Sequence, residues 1–367
     1  MYIYQQPNWP NFTWDNGALF PQLSSVRHKL GRLLGRMEGL GFNLKSEALL
    51  QTLTLDVLKS NEIEGEILDK DQVRSSIARR LGMDVAGLVP ADRNVEGVVE
   101  MLLDATQNYQ IELTAERLFG WHAALFPAGR SGMHKITAGA WRQNGVGPMQ
   151  VVSGAMGRER VHFEAPDAVG LDSEMLTFLN WFNDTKRIID PVLKAAIAHF
   201  WFVTIHPFDD GNGRIARTIA DMQLARADDS NQRFYSMSAQ IRKERNGYYE
   251  TLEKTQRNGL DITEWLQWFL DCLDRTLSVT EEILSGILIK AKYWELLANK
   301  QLNERQRMML NKLLDGFNGK LNTAKWAKIT KCSQDTALRD IQHLIDQDIL
   351  IKEQPGGRST SYILQAI

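Results

Sequence analysis

Apolar residues recur at intervals of three and four along most of the chain, which is the pattern of amphipathic helices. Val26, Leu30 and Leu33 follow this spacing after Ser24, and Gly41 is a typical stop signal. The same period predicts eight further helices, over residues 46–59, 95–109, 114–125, 172–183, 191–205, 213–227, 248–257 and 263–288. We therefore expect a mainly α protein.

Two segments depart from the helical pattern. Residues 1–23 mix tryptophan and phenylalanine with proline and glycine, so we expect irregular structure that is anchored by aromatic packing. Residues 149–152 and 160–163 have β-type composition, and residues 153–157 have the composition of a turn. They predict a β-hairpin inserted in the helical domain, although an ordinary surface loop fits the local sequence equally well.

The carboxy-terminal residues have a different pattern, with shorter helical segments and two β-type pieces. Three helical patterns and two β-type pieces follow one another, at residues 303–314, 323–329, 333–346, 349–352 and 361–364. With a turn over 354–358, this order resembles a winged helix-turn-helix domain. Asp335 and Asp340 on the predicted recognition helix disfavour DNA contact, whereas ten Lys and Arg against seven Asp and Glu from residue 301 onward give a net charge of +3. DNA contact and protein contact both stay open.

Composition limits the classes of protein to consider. The 367 residues suffice for two or three domains, and 43% hydrophobic with 24% charged residues is typical of globular chains. A net charge of −2 gives no overall excess of basic residues for nucleic-acid binding. Cys272 and Cys332 form no CxxC pair, which disfavours a zinc or redox site. Without a signal-like or membrane-length apolar segment, we expect a cytoplasmic protein.

Residues 206–217, with the sequence HPFDDGNGRIAR, concentrate chemically active side chains between two predicted helices. Gly211 and Gly213 allow the backbone N–H groups of the turn to converge on one point. The helix that follows adds the positive end of its dipole. The segment therefore predicts a phosphate-binding turn.

The side chains of this segment suit a nucleotide reaction. Asp210 offers a hard oxygen ligand for Mg²⁺, which usually takes only one or two carboxylates from a protein. Arg214 and Arg217 are three residues apart, so they share a helix face and can clamp anionic oxygens. His206 is a base near neutral pH. Each feature alone is more often structural, but their combination favours a functional site.

The same segment matches the signature of Fic-domain proteins, in which His-Pro-Phe, one residue and an acid precede Gly-Asn-Gly-Arg, two residues and Arg. The chain resembles Fic-domain protein adenylyltransferases, with a helical core and an inserted β-hairpin flap. The resemblance implies three parts: an aromatic-rich segment and helix (1–45), a Fic catalytic core with an inhibitory helix (46–290), and a winged helix-turn-helix domain (291–367).

The resemblance also implies an activity, which is Mg²⁺-dependent transfer of AMP from ATP to a Ser, Thr or Tyr hydroxyl of a target protein. His206 would be the catalytic base and Asp210 the metal ligand. The implied nucleotide-binding residues in the signature are Gly211, Asn212, Gly213, Arg214 and Arg217.

A second family motif lies upstream, at Ser60, Glu64 and Gly65 within the sequence SNEIEG. In the family, such a glutamate pairs with the second arginine of the signature, here Arg217, and competes with the γ-phosphate. The resemblance therefore implies autoinhibition by Glu64. Ser60 and Glu64 are four residues apart and can share a helix face, although an ordinary acidic helix end has the same composition.

Further expectations follow from the resemblance. Residues 149–163 would form the flap that holds a target protein in extended form, and Tyr249 would contact adenine, with core packing as an equal alternative. Self-modification, a homodimer, and DNA or protein contact through the winged helix are the other expected interactions, and no membrane contact is expected. Two hypotheses compete with adenylylation: a Fic-fold transferase that uses another nucleotide or phosphate donor, and a DNA-binding regulator.

Overall fold

The computed structural model describes residues 1–39, 41–83, 87–143, 148–153, 160–186, 188–314, 317, 319–353 and 360–365. The chain divides into two compact units, Met1–Thr280 and Glu281–Ile367. Both are mainly helical. The helices are α1 (Asn16–Glu38), α2 (Phe42–Ile63), α3 (Lys70–Arg80), α4 (Arg93–Gln107), α5 (Ala115–Leu125), α6 (Leu171–Asn183), α7 (Pro191–Ile205), α8 (Asn212–Asp228), α9 (Met237–Lys243), α10 (Arg245–Gln256), α11 (Thr263–Leu296), α12 (Glu304–Leu314), α13 (Thr323–Thr330) and α14 (Gln334–Asp346).

The limit between the two units falls within α11. The boundary expected after residue 290 lies in the same helix, and the division of the chain into three parts stays a prediction. None of the helices, over the residues that the structure describes, is both long enough and apolar enough to cross a membrane.

Helix α7 forms the centre of the first unit. Asp190 caps it by accepting hydrogen bonds from the amides of Val192 and Leu193, and Pro191 suits the first helical position. The helix is apolar on every side and almost entirely buried, and it packs mainly against α8. It ends at His206, whose left-handed backbone (φ 54°, ψ 58°) turns the chain sharply.

The amino-terminal residues differ in part from expectation. Helix α1 begins at Asn16 rather than Ser24, because Asp15 caps it by accepting two amide hydrogen bonds. Pro21 lies inside this helix, where its missing N–H removes a single backbone hydrogen bond. Before α1, the ring of Phe12 lies 5.6 Å from that of Trp201 in an edge-on contact that anchors the irregular segment.

Two helices were not predicted from the sequence. Helix α3 buries Val73 and Ile77 together with small polar residues, so its apolar stripe is too sparse to show a clear period. Helix α9 has only seven residues, fewer than a periodic pattern needs. Helix α2 also extends beyond the predicted end at Lys59, which places Ser60 inside its last turn.

The expected hairpin is present as an antiparallel pair of strands. A smaller hairpin, β1 (Arg130–Ser131) with β2 (His134–Lys135), precedes it along the chain. Strands β3 (Gln150–Ser153) and β4 (Arg160–Glu164) pair with a register shift between Val151 and Val152. The predicted turn over 153–157 lies outside the described residues except for its first residue.

The second unit contains α12, α13 and α14, followed by the antiparallel strands β5 (Leu350–Lys352) and β6 (Tyr362–Leu364). Its core packs around Trp326, which is fully buried. Asp340 on α14 bonds Arg305 and Asn303 within the unit, so this acid is neutralised internally. The order of elements is the one expected, and the winged-helix identification stays a prediction. The predicted turn over 354–358 lies outside the described residues.

Candidate active site

His206 lies at the junction of α7 and α8, in the loop that carries the signature segment. Its Nδ1 lies 3.2 Å from the carbonyl of Val203. Because a carbonyl can only accept, Nδ1 holds the proton and Nε2 keeps its lone pair. Burial lowers the pKa of His206 to about 4, against the opposing effects of the Val203 carbonyl and of Asp210. At neutral pH the imidazole is therefore a neutral base.

The loop after His206 is held by side-chain to backbone hydrogen bonds. Asn212 Oδ1 accepts from the amide of Phe208 at 2.9 Å, and Asn212 Nδ2 donates to the carbonyl of the same residue at 2.8 Å. Gly211 has φ +79°, and a side chain there would lie 2.9 Å from the ring of Phe126. Asn212 thus braces the turn with its side chain, and the amide of Gly211 is used by Asp210.

Asp210 is oriented by hydrogen bonds to both of its carboxylate oxygens. The amide of Gly211 donates to Oδ1 at 2.6 Å, and the hydroxyl of Ser131 on β1 donates to Oδ2. Groups of three or more side chains that could hold a metal ion do not occur among the described residues. Asp210 therefore offers a carboxylate that is held in place, and Mg²⁺ accepts one or two protein carboxylates when phosphate oxygens and water complete its shell.

Arg214 and Arg217 are both buried, with 2% and 3% of their surface exposed. Arg214 Nη1 donates to Glu66 at 2.6 Å, and its guanidinium lies 5.0 Å above the ring of Phe126. Arg214 Nε and Arg217 Nη1 have no hydrogen-bond partner among the residues described. Each of these two buried guanidinium groups, near the start of α8, therefore has one nitrogen that can still donate to a bound anion.

The second motif, Ser60, Glu64 and Gly65, lies directly against Arg217. Arg217 Nε donates to the Ser60 hydroxyl at 3.0 Å, and Nη2 donates to the Ser60 carbonyl at 2.9 Å and to Glu64 Oε1 at 2.8 Å. Burial opposes the charge on Arg217, but Glu64 together with Tyr248 and Tyr249 outweighs it, so the pKa of the guanidinium is raised. Gly65, with φ +87°, lets the chain leave α2 immediately after Glu64.

Glu64 also lies over the glycine turn. A Cβ atom built on Gly213 would collide with Glu64 Oε1 and would lie 3.3 Å from Arg217 Nη1. A side chain at this position would therefore displace the Glu64 carboxylate. Glu64 thus occupies the space between the turn and Arg217. Glu62, two residues earlier, turns away and pairs with Lys59 at 2.6 Å.

The two tyrosines of α10 differ in their surroundings. Tyr248 is buried, and its hydroxyl lies 2.9 Å from His199 Nε2, so it belongs to the core. Tyr249 is partly exposed and donates to Glu64 Oε2 at 3.3 Å, while the guanidinium of Arg245 lies 5.0 Å above its ring. Of the two, Tyr249 is the one that is partly exposed at the candidate site.

Arg142 and His122 also shape the site, and no sequence pattern indicated either residue. Arg142 is buried and donates through Nε to the His206 carbonyl at 2.8 Å and through Nη2 to the Pro166 carbonyl, which ties the signature loop to the base of the hairpin. His122 stacks on Phe208 at 4.1 Å and lies 3.2 Å from the Asp210 carbonyl. Both act through contacts distant in sequence, which no local pattern reveals.

Residues 112–224 match the family profile of the Fic/DOC family, and residues 2–83 match that of a domain of unknown function, DUF4172. The chain is 27% identical over 238 residues to a protein of Drosophila yakuba named protein adenylyltransferase Fic, covering 64% of this chain and 42% of the relative. It is 35% identical over 106 residues to the protein of that name from Culex quinquefasciatus, covering 29% and 20%. The chain spans about two fifths or less of the length of these relatives.

Solved structures agree on the fold. A Fic family protein from Desulfovibrio desulfuricans G20 superposes with a TM-score of 0.54 at 20% identity, over 97% of this chain and 98% of that one. A Fic domain-containing signaling protein from Bacteroides thetaiotaomicron VPI-5482 gives a TM-score of 0.51 at 19% identity, over 73% and 97%. The signature segment lies within the matched residues, and the chain therefore contains a Fic/DOC family domain.

Proposed function

We propose that the protein is an adenylyltransferase that moves AMP from ATP to a Ser, Thr or Tyr hydroxyl of a target protein and is inhibited by its own Glu64. The observation that supports this most directly is the pair of unpartnered, buried guanidinium nitrogens on Arg214 and Arg217, beside a glycine turn at a helix amino terminus. Buried donors without partners are costly, and phosphate oxygens would satisfy them.

In the proposed reaction, a target hydroxyl attacks the α-phosphorus of ATP. His206 Nε2 takes the hydroxyl proton as the new O–P bond forms, and the bond from the α-phosphorus to the pyrophosphate oxygen breaks. The amides of Asn212 and Gly213 and the positive end of α8 stabilise the phosphate oxygens in the transition state. Arg214 and Arg217 hold the remaining phosphates and the departing pyrophosphate.

Asp210 is the proposed metal ligand. Its carboxylate is already oriented by Ser131 and by the Gly211 amide, and each oxygen retains a lone pair for a cation. Bound Mg²⁺ would neutralise charge on the phosphates. Tyr249, next to Glu64 and partly exposed, is the proposed adenine contact, and strands β3 and β4 are the proposed target-binding flap.

The proposed inhibition is a competition for Arg217. Glu64 and the γ-phosphate of ATP are both anions, and Arg217 Nη2 already donates to the carboxylate at 2.8 Å. A triphosphate that reaches Arg217 must displace this carboxylate from the space above Gly213. Without that displacement, ATP would bind in a position that does not support transfer.

Labelled nucleotide tests the activity. The protein and its Glu64→Gly variant are incubated with a lysate of the source cells and Mg²⁺, once with ATP labelled on the α-phosphate and once with ATP labelled on the γ-phosphate. Adenylylation predicts that only the α label appears on protein, including on the enzyme itself, and that His206→Ala removes it. Transfer of the γ label, or efficient labelling from another nucleoside triphosphate only, would assign a different donor reaction to the same fold.

A further inference from the structure

A buried charged cluster joins α2 to α8 one helical turn away from Arg217. Its members are Asp56 on α2, Asp221 on α8 and Arg233 in the segment before α9, and they are 4%, 3% and 2% exposed. Arg233 Nη1 pairs with Asp221 Oδ1. Asp56 Oδ1 accepts from the hydroxyl of Ser236, the residue that caps α9. Three elements of the catalytic unit therefore meet at these side chains.

The two acids contact each other directly. Asp221 and Asp56 lie within hydrogen-bonding reach of each other, and a hydrogen bond between two carboxyl groups requires a proton on one of them. Burial raises the pKa of Asp221, against the attraction of Arg233, and the neighbouring Asp56 raises it further. A proton shared between the two acids makes this contact between α2 and α8 a hydrogen bond rather than a repulsion.

The contact between Asp56 and Asp221 lies one helical turn from the contact between Ser60 and Arg217. Ser60 on α2 binds Arg217 on α8. Asp56 precedes Ser60 by four residues, and Asp221 follows Arg217 by four residues, so each pair of residues shares a helix face. The two helices thus make successive polar contacts, Ser60 with Arg217 and Asp56 with Asp221. Glu64 extends the same line by one more turn of α2.

Stability alone is a weak reason for such a cluster. Buried ion pairs commonly stabilise a fold no more than well-packed apolar residues of similar volume do. Arg233 Nε and Nη2 are buried and lack a hydrogen-bond partner among the described residues, so the cluster also leaves polar groups unsatisfied. What it does supply is a fixed register between α2 and α8.

We propose that Asp56, Asp221 and Arg233 act as positioning residues that hold α2 on α8 and thereby keep Glu64 against Arg217. This inference rests on the proposed inhibition by Glu64. It assigns a regulatory role to residues outside both the signature segment and the inhibitory motif. A change that loosens this contact should release part of the inhibition without touching the nucleotide site.

Activity in two backgrounds tests the proposal. Asp56→Ala in the full chain should raise self-adenylylation roughly three- to tenfold, because Glu64 is held less firmly. The same substitution in the Glu64→Gly background should change little, since no inhibitory carboxylate remains to be released. Asp56→Asn, whose amide can hydrogen bond to both neighbours, should behave as wild type. Thr54→Val is the matched control, because Thr54 is buried on the same helix and its hydroxyl, within the part of the chain that the structure describes, bonds the Leu50 carbonyl alone.

Hydrogen exchange gives a readout that does not depend on activity. Backbone amides of residues 57–63 should exchange faster in Asp56→Ala than in wild type, by roughly an order of magnitude, and should not change in Thr54→Val. If Asp56→Ala fails to fold, Arg233→Met serves in its place, since it leaves the Asp56 to Ser236 hydrogen bond intact and should produce the same two effects.

The outcomes separate the possibilities. Equal losses of activity in both backgrounds would show that the cluster only stabilises the fold, and unchanged exchange over residues 57–63 would show that it does not hold α2; either result overturns the proposal. If Glu64→Gly has no transferase activity but Asp56→Ala still speeds exchange, the proposed function fails while the positioning of α2 by the cluster stands.

Discussion

The signature loop and the flap hairpin are neighbours in one unit, yet they are held in different ways. In the loop, Asn212 fixes the backbone of Phe208 from both sides, and Asp210 is bound through both oxygens. In the flap, strand β4 is attached to α10 mainly through Glu253 and through Arg257, which donates to the carbonyls of Val161 and His162. The loop therefore fixes the side chains that the proposed reaction uses, whereas the hairpin, the proposed contact for a target protein, is held partly through its backbone carbonyls.

This difference suggests that the loop serves the chemical step of the proposed reaction and that the hairpin serves target binding. A preorganised loop can stabilise a transition state because its groups do not need to move. A hairpin that binds through its backbone can accept targets of different sequence. Substitutions in the loop should therefore change the chemical step strongly, whereas substitutions at the flap should change target binding weakly.

The largest expected effect is that of His206→Ala. Loss of the base should lower the transfer rate roughly 10²- to 10⁴-fold while the affinity for ATP stays nearly unchanged. Single-turnover transfer of the α label and equilibrium nucleotide binding measure the two quantities separately. A variant with wild-type transfer would remove His206 from the mechanism.

The loop also predicts a specific loss for Asp210→Asn. The amide keeps an oxygen that can accept one of the two present hydrogen bonds, but it removes the negative charge that favours a divalent cation. We expect the Mg²⁺ concentration for half-maximal activity to rise at least roughly tenfold. Mn²⁺ binding, followed by electron paramagnetic resonance in the presence of ATP, checks the same property without turnover. Unchanged Mn²⁺ affinity would place the metal elsewhere.

Features that depend on neighbouring residues could be predicted from the sequence, whereas features that depend on distant contacts could not. The place of the signature loop between α7 and α8 could be predicted because residues 206–217 are contiguous and the glycines of the turn have their own conformational preference. Helix α3 could not be predicted because its apolar stripe is sparse. The start of α1 could not be predicted because Pro21 lies inside its first turns. Arg142, His122 and Glu66 were missed for another reason. They reach the loop across 64 to 148 residues, and only the folded chain brings them there.

Substitutions at the contact between α2 and the loop should have effects of intermediate size on the transfer rate. Glu64→Gly should raise transfer by one to two orders of magnitude, because a charge-assisted pair at a partly desolvated site is worth roughly 1.5 to 3 kcal/mol. Arg217→Ala should instead lose productive ATP binding although the inhibitory pair is also gone. Initial rates with saturating Mg²⁺ and a verified target measure both.

Glu62→Gly is the control for this pair. Glu62 pairs with Lys59 and Arg242 rather than with Arg217, so its removal should change the rate by less than about twofold. Equal rates for wild type and Glu64→Gly would reject autoinhibition and leave the transferase assignment standing. Equal activation by both variants would point to a general loosening of the end of α2.

The smallest expected effect lies at the flap. Glu253 on α10 accepts from Arg160 at 3.1 Å and lies 2.7 Å from His162 Nδ1, so it holds β4 beside the site. Glu253→Gln should raise the KM for a target protein by about two- to threefold, because these partly exposed contacts are individually weak, and should leave the KM for ATP unchanged. Glu250→Gln on the same helix, where Glu250 is exposed, is the matched control. A larger effect on ATP than on the target would contradict the separation of roles, since it would mean that the hairpin supports the nucleotide site and not only the bound protein.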